Sequence, residues 1–147
     1  LVSFLLVAIC ELIAGLLGDL IGSRCEDATK LTEDYKQLCK KYPRESFILT
    51  DKLSEALFEK HEDIRPFFES QLQACGVEYF DFYLLHSLNR DIWETFKSVN
   101  AYENLKEKKA EGKIRHLGFS FHGDMDLFKE LLNNLKYISS LPIIVKT

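Results

Sequence analysis

The sequence predicts a soluble α/β fold in which parallel strands alternate with helices, and three strand-like runs carry the prediction. Lys52 closes SFILTDK, His86 follows EYFDFYLL and Ser120 closes KIRHLGFS, so a polar residue recurs at successive intervals of 34 residues. Strands separated by helices of that length return to the same edge as parallel neighbours with right-handed crossovers. Two closures satisfy the pattern: an open doubly wound sheet, or part of an eight-stranded β/α barrel. No GxGxxG follows a first strand to mark a dinucleotide-binding open sheet. In a barrel the carboxyl ends of all strands open on one face, so this spacing would bring the three side chains over one pocket.

The elements follow in order. Residues 1–23, LVSFLLVAICELIAGLLGDLIGS, are nearly continuous apolar sequence interrupted by Glu11 and Asp19. An acidic residue near a bilayer centre costs roughly 2.5–3.5 kcal/mol, so this segment is read as a buried element, with membrane association as the minor alternative. Residues 24–147 form the second region, in which helices and strands alternate. Leu31, Tyr35, Leu38, Cys39 and Tyr42 lie at helical spacing, Pro43 stops that helix, and Phe47 to Asp51 has strand character. A second helix begins near Glu62, carries Ile64, Phe67, Phe68, Leu72 and Cys75 on one stripe, and ends at Gly76. The strand Tyr79 to Leu85 is next. A helical stretch from Asp91 to Ala110, broken near Asn100, stops at Gly112 before the strand Ile114 to Ser120. A last helix carries Phe128, Leu131, Leu132 and Leu135, and LPIIVKT begins a further strand.

Composition narrows the function classes. The chain has 147 residues, 46% of them hydrophobic and 12% aromatic, enough for a packed core. Its formal charge of −4, from 19 basic and 23 acidic residues spread along the chain, offers no basic stripe for nucleic acid. Cys10, Cys25, Cys39 and Cys75 show no metal-ligand spacing. No metal site is therefore predicted, and reduced thiols in the cytoplasm are the expectation.

Taken together, YPRESFILTDKL, GVEYFDFYLLHSLN and EGKIRHLGFSFH resemble consecutive strand motifs of the aldo/keto reductases. They are most similar to the bacterial branch whose full-length members carry a ferredoxin-like segment after the barrel. The resemblance spans roughly Thr29 to Leu132 and selects the barrel closure, so the expected fold is a partial (β/α)8 TIM barrel holding about half of the repeats. It also implies NADPH-dependent reduction of aldehydes or ketones by hydride transfer. By the same resemblance Lys52 stands at the catalytic lysine, His86 at the catalytic histidine, and Ser120 at the serine that holds the nicotinamide carboxamide. The chemistry explains these types. A carbonyl receiving hydride develops alkoxide charge, which calls for hydrogen-bond donors aimed at the oxygen and then a proton.

The family's usual proton donor is a tyrosine in a DTAxxY-like run before the helix that precedes the lysine. Here that region aligns with GDLIGSRCEDATK, and no tyrosine lies between Leu1 and Asp34. Asp51 replaces the small or hydroxyl residue usual before the lysine, and Phe121 stands where many members have asparagine. Eight units at the observed interval would need nearer the ~250 residues typical of such barrels. The expectation is therefore an impaired reductase, probed against the alternative of a non-catalytic, truncated relative acting as a binding or assembly module. An open sheet also implies a homo-oligomer. Among the other polar residues, Asp81 and Tyr83 are expected to hold strand to helix. His116 is read as turned away from Ser120 toward the helix layer or solvent, His122 as a loop or cap residue, and His61 as exposed at a helix start.

Overall fold

A computed structural model describes residues 4–7, 33, 36–37, 39–134 and 143–145. Five strands, β1 (Phe4–Val7), β2 (Phe47–Leu53), β3 (Phe80–Leu88), β4 (Ile114–Phe121) and β5 (Ile143–Val145), pair in sequence order as one parallel sheet. The helices between them are α1 (His61–Cys75), α2 (Arg90–Ser98), α3 (Ala101–Ala110) and α4 (Met125–Asn134). The expected α/β architecture with parallel strands alternating with helices is therefore present. Most of the apolar segment 1–23 lies outside the described residues, but its Phe4–Val7 is a strand seated beside β2. The run aligned with DTAxxY also lies outside them.

Local chemistry explains how the chain enters each strand. In α1 the apolar stripe Ile64, Phe67, Phe68, Leu72 and Cys75 is buried, as its 3.6-residue period requires. Gly76 then adopts φ 67°, and the amides of Gly76 and Val77 bond back to the carbonyls of Gln73 and Leu72, closing the helix and releasing the chain toward β3. The anticipated break falls at Asn100, whose φ of 50° splits the long helical stretch into α2 and α3. Asparagine tolerates that left-handed conformation better than most residues. Gly112, at φ 79°, repeats the turn before β4.

The sheet sorts its side chains by parity. Along β2 burial alternates strictly, with Phe47, Leu49, Asp51 and Leu53 buried and Ile48, Thr50 and Lys52 half-buried. The first set packs on the helix layer, where Tyr83, Phe68, Phe80, Phe96 and Phe119 are the largest fully buried side chains. The second set forms the inner face. Register pairs Thr50 with Phe82, Lys52 with Leu84, Phe82 with His116 and Leu84 with Gly118, so the inner face continues across β3 and β4. His116 consequently shares that face with Ser120, four residues away, and stacks on the Phe82 ring at 4.9 Å. This corrects the expectation that it turns away, since an even separation along a strand keeps two side chains on one side.

The amino ends of the strands are pinned by Asp81. One oxygen accepts from Arg44 at 2.7 Å and from the Leu49 amide at 2.9 Å, and the other accepts from Arg115 at 2.9 Å. The Tyr79 ring carries both guanidiniums, at 3.9 Å and 4.0 Å from its centroid. Asp81 thus ties strand to strand, whereas Tyr83 reaches the helix layer, donating its phenol to Gln71 of α1. His61 is exposed at the start of α1, with Nδ1 2.8 Å from the Val99 carbonyl, and His122 lies in the exposed loop after β4. That loop's helix is capped by Asp124, which accepts from the Leu127 amide.

Candidate active site

The opposite end of the sheet collects the polar residues. Lys52 sits one residue before the end of β2, His86 two before the end of β3, and Ser120 one before the end of β4. All three are half-buried on the inner face at the carboxyl ends of adjacent strands. The Lys52 ammonium nitrogen lies 3.2 Å from His86 Nε2. If the ammonium donates, Nε2 must be the bare nitrogen of a neutral ring, and the proton on Nδ1 faces Ser54 Oγ, 3.4 Å away.

Ser120 is tied to the backbone beside the pair. Its Oγ accepts the Ser87 amide at 2.7 Å, immediately after His86. That contact depends on a register shift in β3 between Leu85 and Leu88, where Ser87 takes φ 55°. A bulge of this kind re-aims side chains at a strand end, and here it lets one backbone N–H fix the serine oxygen while the hydroxyl proton stays free to turn. Ser54 and Ser87 were not singled out in the sequence. Neither has a motif of its own, and only their adjacency to Lys52 and His86 could have drawn attention to them.

Behind the inner face, the backbone of Lys52 is held by side chains. Asp51 Oδ1 accepts the Lys52 amide at 2.8 Å, and Gln71 Nε2 donates to the Lys52 carbonyl at 3.1 Å. Asp51 is 4% exposed, and burial pushes its carboxyl up to about 8, against the smaller opposing effects of the Lys52 amide and ammonium. Cys75 shares the same interior. Burial, and secondarily the neighbouring Asp51 and Cys39, pushes its thiol up to about 12. Cys39 is raised too, by burial. Among the described residues there is no group of three potential metal ligands and no helix long and apolar enough to cross a membrane.

Chemically, this end of the sheet offers an ammonium, an imidazole and a hydroxyl on one face. It can present N–H and O–H donors to an oxygen gaining negative charge. Ser120 also fits the amide end of a nicotinamide ring, because its oxygen is already anchored and its proton is available to donate.

Comparison with known proteins agrees with this architecture. An aldo/keto reductase of Brucella melitensis matches with a TM-score of 0.61 at 19% identity, over 79% of this chain and 44% of its own. An aldo-keto reductase enzyme from a Medee basin deep-sea metagenome library matches with a TM-score of 0.59 at 23% identity, over 93% and 48%. The Bombyx mori aldo-keto reductase solved in complex with NADP matches with a TM-score of 0.58 at 18% identity, over 85% and 42%. The chain thus spans less than half the length of these structures and corresponds to a part of their barrel. No curated protein matches it significantly. A family model, described as the aldo/keto reductase family, matches residues 28–144. That match covers most of the chain, which therefore belongs to the aldo/keto reductase family.

Proposed function

We propose that this chain carries the lysine–histidine part of a carbonyl-reducing centre that uses NADPH to reduce aldehydes or ketones. The observation that supports it best is the 3.2 Å approach of Lys52 Nζ to His86 Nε2 at the carboxyl ends of neighbouring strands. Family membership and the NADP complex of the Bombyx mori relative point the same way. NADPH, when bound, supplies the hydride. Ser120 holds the carboxamide, and the Lys52 ammonium, aimed by His86, donates to the substrate oxygen as it gains charge and then gives it the proton, which solvent returns to the lysine.

In this reading the pair works without the family's tyrosine, and turnover is correspondingly slow. A positioned acid contributes roughly 10²–10⁴-fold, which sets the expected deficit. By the same proposal the chain assembles as a homo-oligomer and works in the cytoplasm. The test is NADPH oxidation with a panel of aldehydes and ketones, comparing the parent chain with Lys52→Met and His86→Phe. Slow turnover that both substitutions abolish supports the reading. Turnover indifferent to both refutes it.

A further inference from the structure

We propose that Ser87 is a surplus residue of β3 that serves the site rather than the sheet: a positioning residue, held in a strained conformation, whose N–H fastens Ser120 beside His86. The inference rests on the reading that His86 and Ser120 belong to one site. From Leu85 to Leu88 the chain takes three steps, while their partners Phe119 and Phe121 are two steps apart. Across this stretch β3 therefore carries one residue more than β4, which makes a bulge.

The alternation of faces identifies which residue is surplus. Leu84, paired with Gly118, and His86 share the inner face, so regular alternation would turn Leu88 inward as well. Leu88 instead lies opposite Phe121, whose ring packs on Phe128 of α4 in the helix layer, and it is fully buried there. A strand that ran Leu85, His86, Leu88 against Phe119, Ser120, Phe121 would keep each of these side chains on the face it already occupies. Beyond the bulge the ladder resumes, with the His122 amide donating to the Leu88 carbonyl at 2.8 Å. Ser87 is the residue outside that scheme, and it is the one at φ 55°, where the Cβ of an L-residue crowds a carbonyl oxygen. Register and burial would be served without it. What it adds is the N–H that Ser120 Oγ accepts at 2.7 Å. That bond takes up a lone pair of the hydroxyl, leaves its proton to be aimed at a ligand, and ties the peptide after His86 to the neighbouring strand. Backbone strain of this kind gathers where it prepares a site.

The experiment compares three full-length variants, Ser87→Gly, deletion of Ser87, and Ser120→Ala, by urea midpoint and by the ¹⁵N signals of the His86 ring without ligand. Glycine takes φ 55° at no steric cost and keeps the N–H, so Ser87→Gly is expected to hold or raise the midpoint and leave the His86 signals in place. The deletion is expected to fold with a midpoint no lower than the parent's and to shift the His86 signals, because the tie to Ser120 is gone. Ser120→Ala removes the acceptor and is expected to shift them too. His86 signals that stay at the parent positions in both the deleted chain and Ser120→Ala overturn the proposal. So does a deletion that prevents folding, since the ladder would then need the residue, or a Ser87→Gly chain less stable than the parent. A parent chain without NADPH turnover, with the His86 shifts as expected, loses the carbonyl-reducing reading and not the role of Ser87.

Discussion

Replacing Asp51 with asparagine should stabilise the protein increasingly as pH rises. The carboxyl ordinarily ionises near 3.8, but in the fold it is raised to about 8, chiefly by burial. A carboxyl raised by folding costs nothing at low pH, where both states are protonated. As pH climbs past the unfolded value, the unfolded chain releases its proton and the folded chain keeps it, so stability falls until the folded group also ionises near 8. Each pH unit in that window is worth about 1.4 kcal/mol. The penalty is therefore about 2 kcal/mol at pH 5 and about 4 kcal/mol at pH 7. Asparagine keeps the oxygen that accepts the Lys52 amide at 2.8 Å but never ionises. Urea unfolding followed by Trp93 fluorescence, in parent and Asp51→Asn chains, should show the asparagine variant gaining roughly 2 to 3 kcal/mol relative to the parent between about pH 5 and pH 7. The slope is diagnostic even if the substitution carries a constant packing cost. Parallel stability curves, or a relative gain for the parent with rising pH, would show that Asp51 is ionised and compensated in the fold, and would refute the reasoning.

Three further outcomes are expected. Cys75, raised to about 12, and Cys39, also raised, should resist alkylation at about pH 8, where about one Cys75 in ten thousand is thiolate, and should react only as fast as the protein unfolds; rapid labelling of the native chain would contradict their burial. Asp81→Asn should cost about 3 kcal/mol because it strands the largely buried Arg44, whereas Arg115→Ala, at a side chain 49% exposed, should cost under about 1 kcal/mol; equal losses in denaturant unfolding would show that the Asp81 network does not rest on Arg44. Removing residues 1–21 takes away β1 and bares the edge of β2, so light scattering and sedimentation should show a dimer or larger assembly for the full chain and aggregation for the shortened one; a shortened chain that is a soluble monomer would sink the assembly reading.

Much of this fold was legible because its signals are local. The stripe from Ile64 to Cys75, the glycines Gly76 and Gly112, and the break at Asn100 each follow from the residues on either side. The strand ends extend further than the hydrophobic runs suggested. β3 reaches Leu88 and β2 reaches Leu53, because pairing with neighbours, not residue type, sets where a ladder stops. Lys52, His86 and Ser120 could be placed on one phase from their spacing, and their roles came only from the family resemblance. His116 was misplaced by a miscount of parity. The bulge at Ser87 had no sequence signal, because serine has no marked preference for a positive φ and the distortion answers a tertiary demand, the bond to Ser120. Gln71 was equally silent: a single polar residue on an apolar helix face acquires its meaning only from Tyr83 and the Lys52 carbonyl across the sheet.

The most direct test of the central claim is to titrate NADPH into the ¹⁵N-labelled chain and follow the Ser87 amide and the His86 ring. Ser87 donates to Ser120 Oγ at 2.7 Å and His86 lies 3.2 Å from the Lys52 ammonium, so in the proposed site the two signals would report on the carboxamide and carbonyl ends. The account predicts that both move saturably with NADPH, that Ser120→Ala weakens the response, and that adding a carbonyl compound then shifts His86 further. Signals at Ser87 and His86 that stay fixed while NADPH binds elsewhere, or that respond equally in Ser120→Ala, would contradict it.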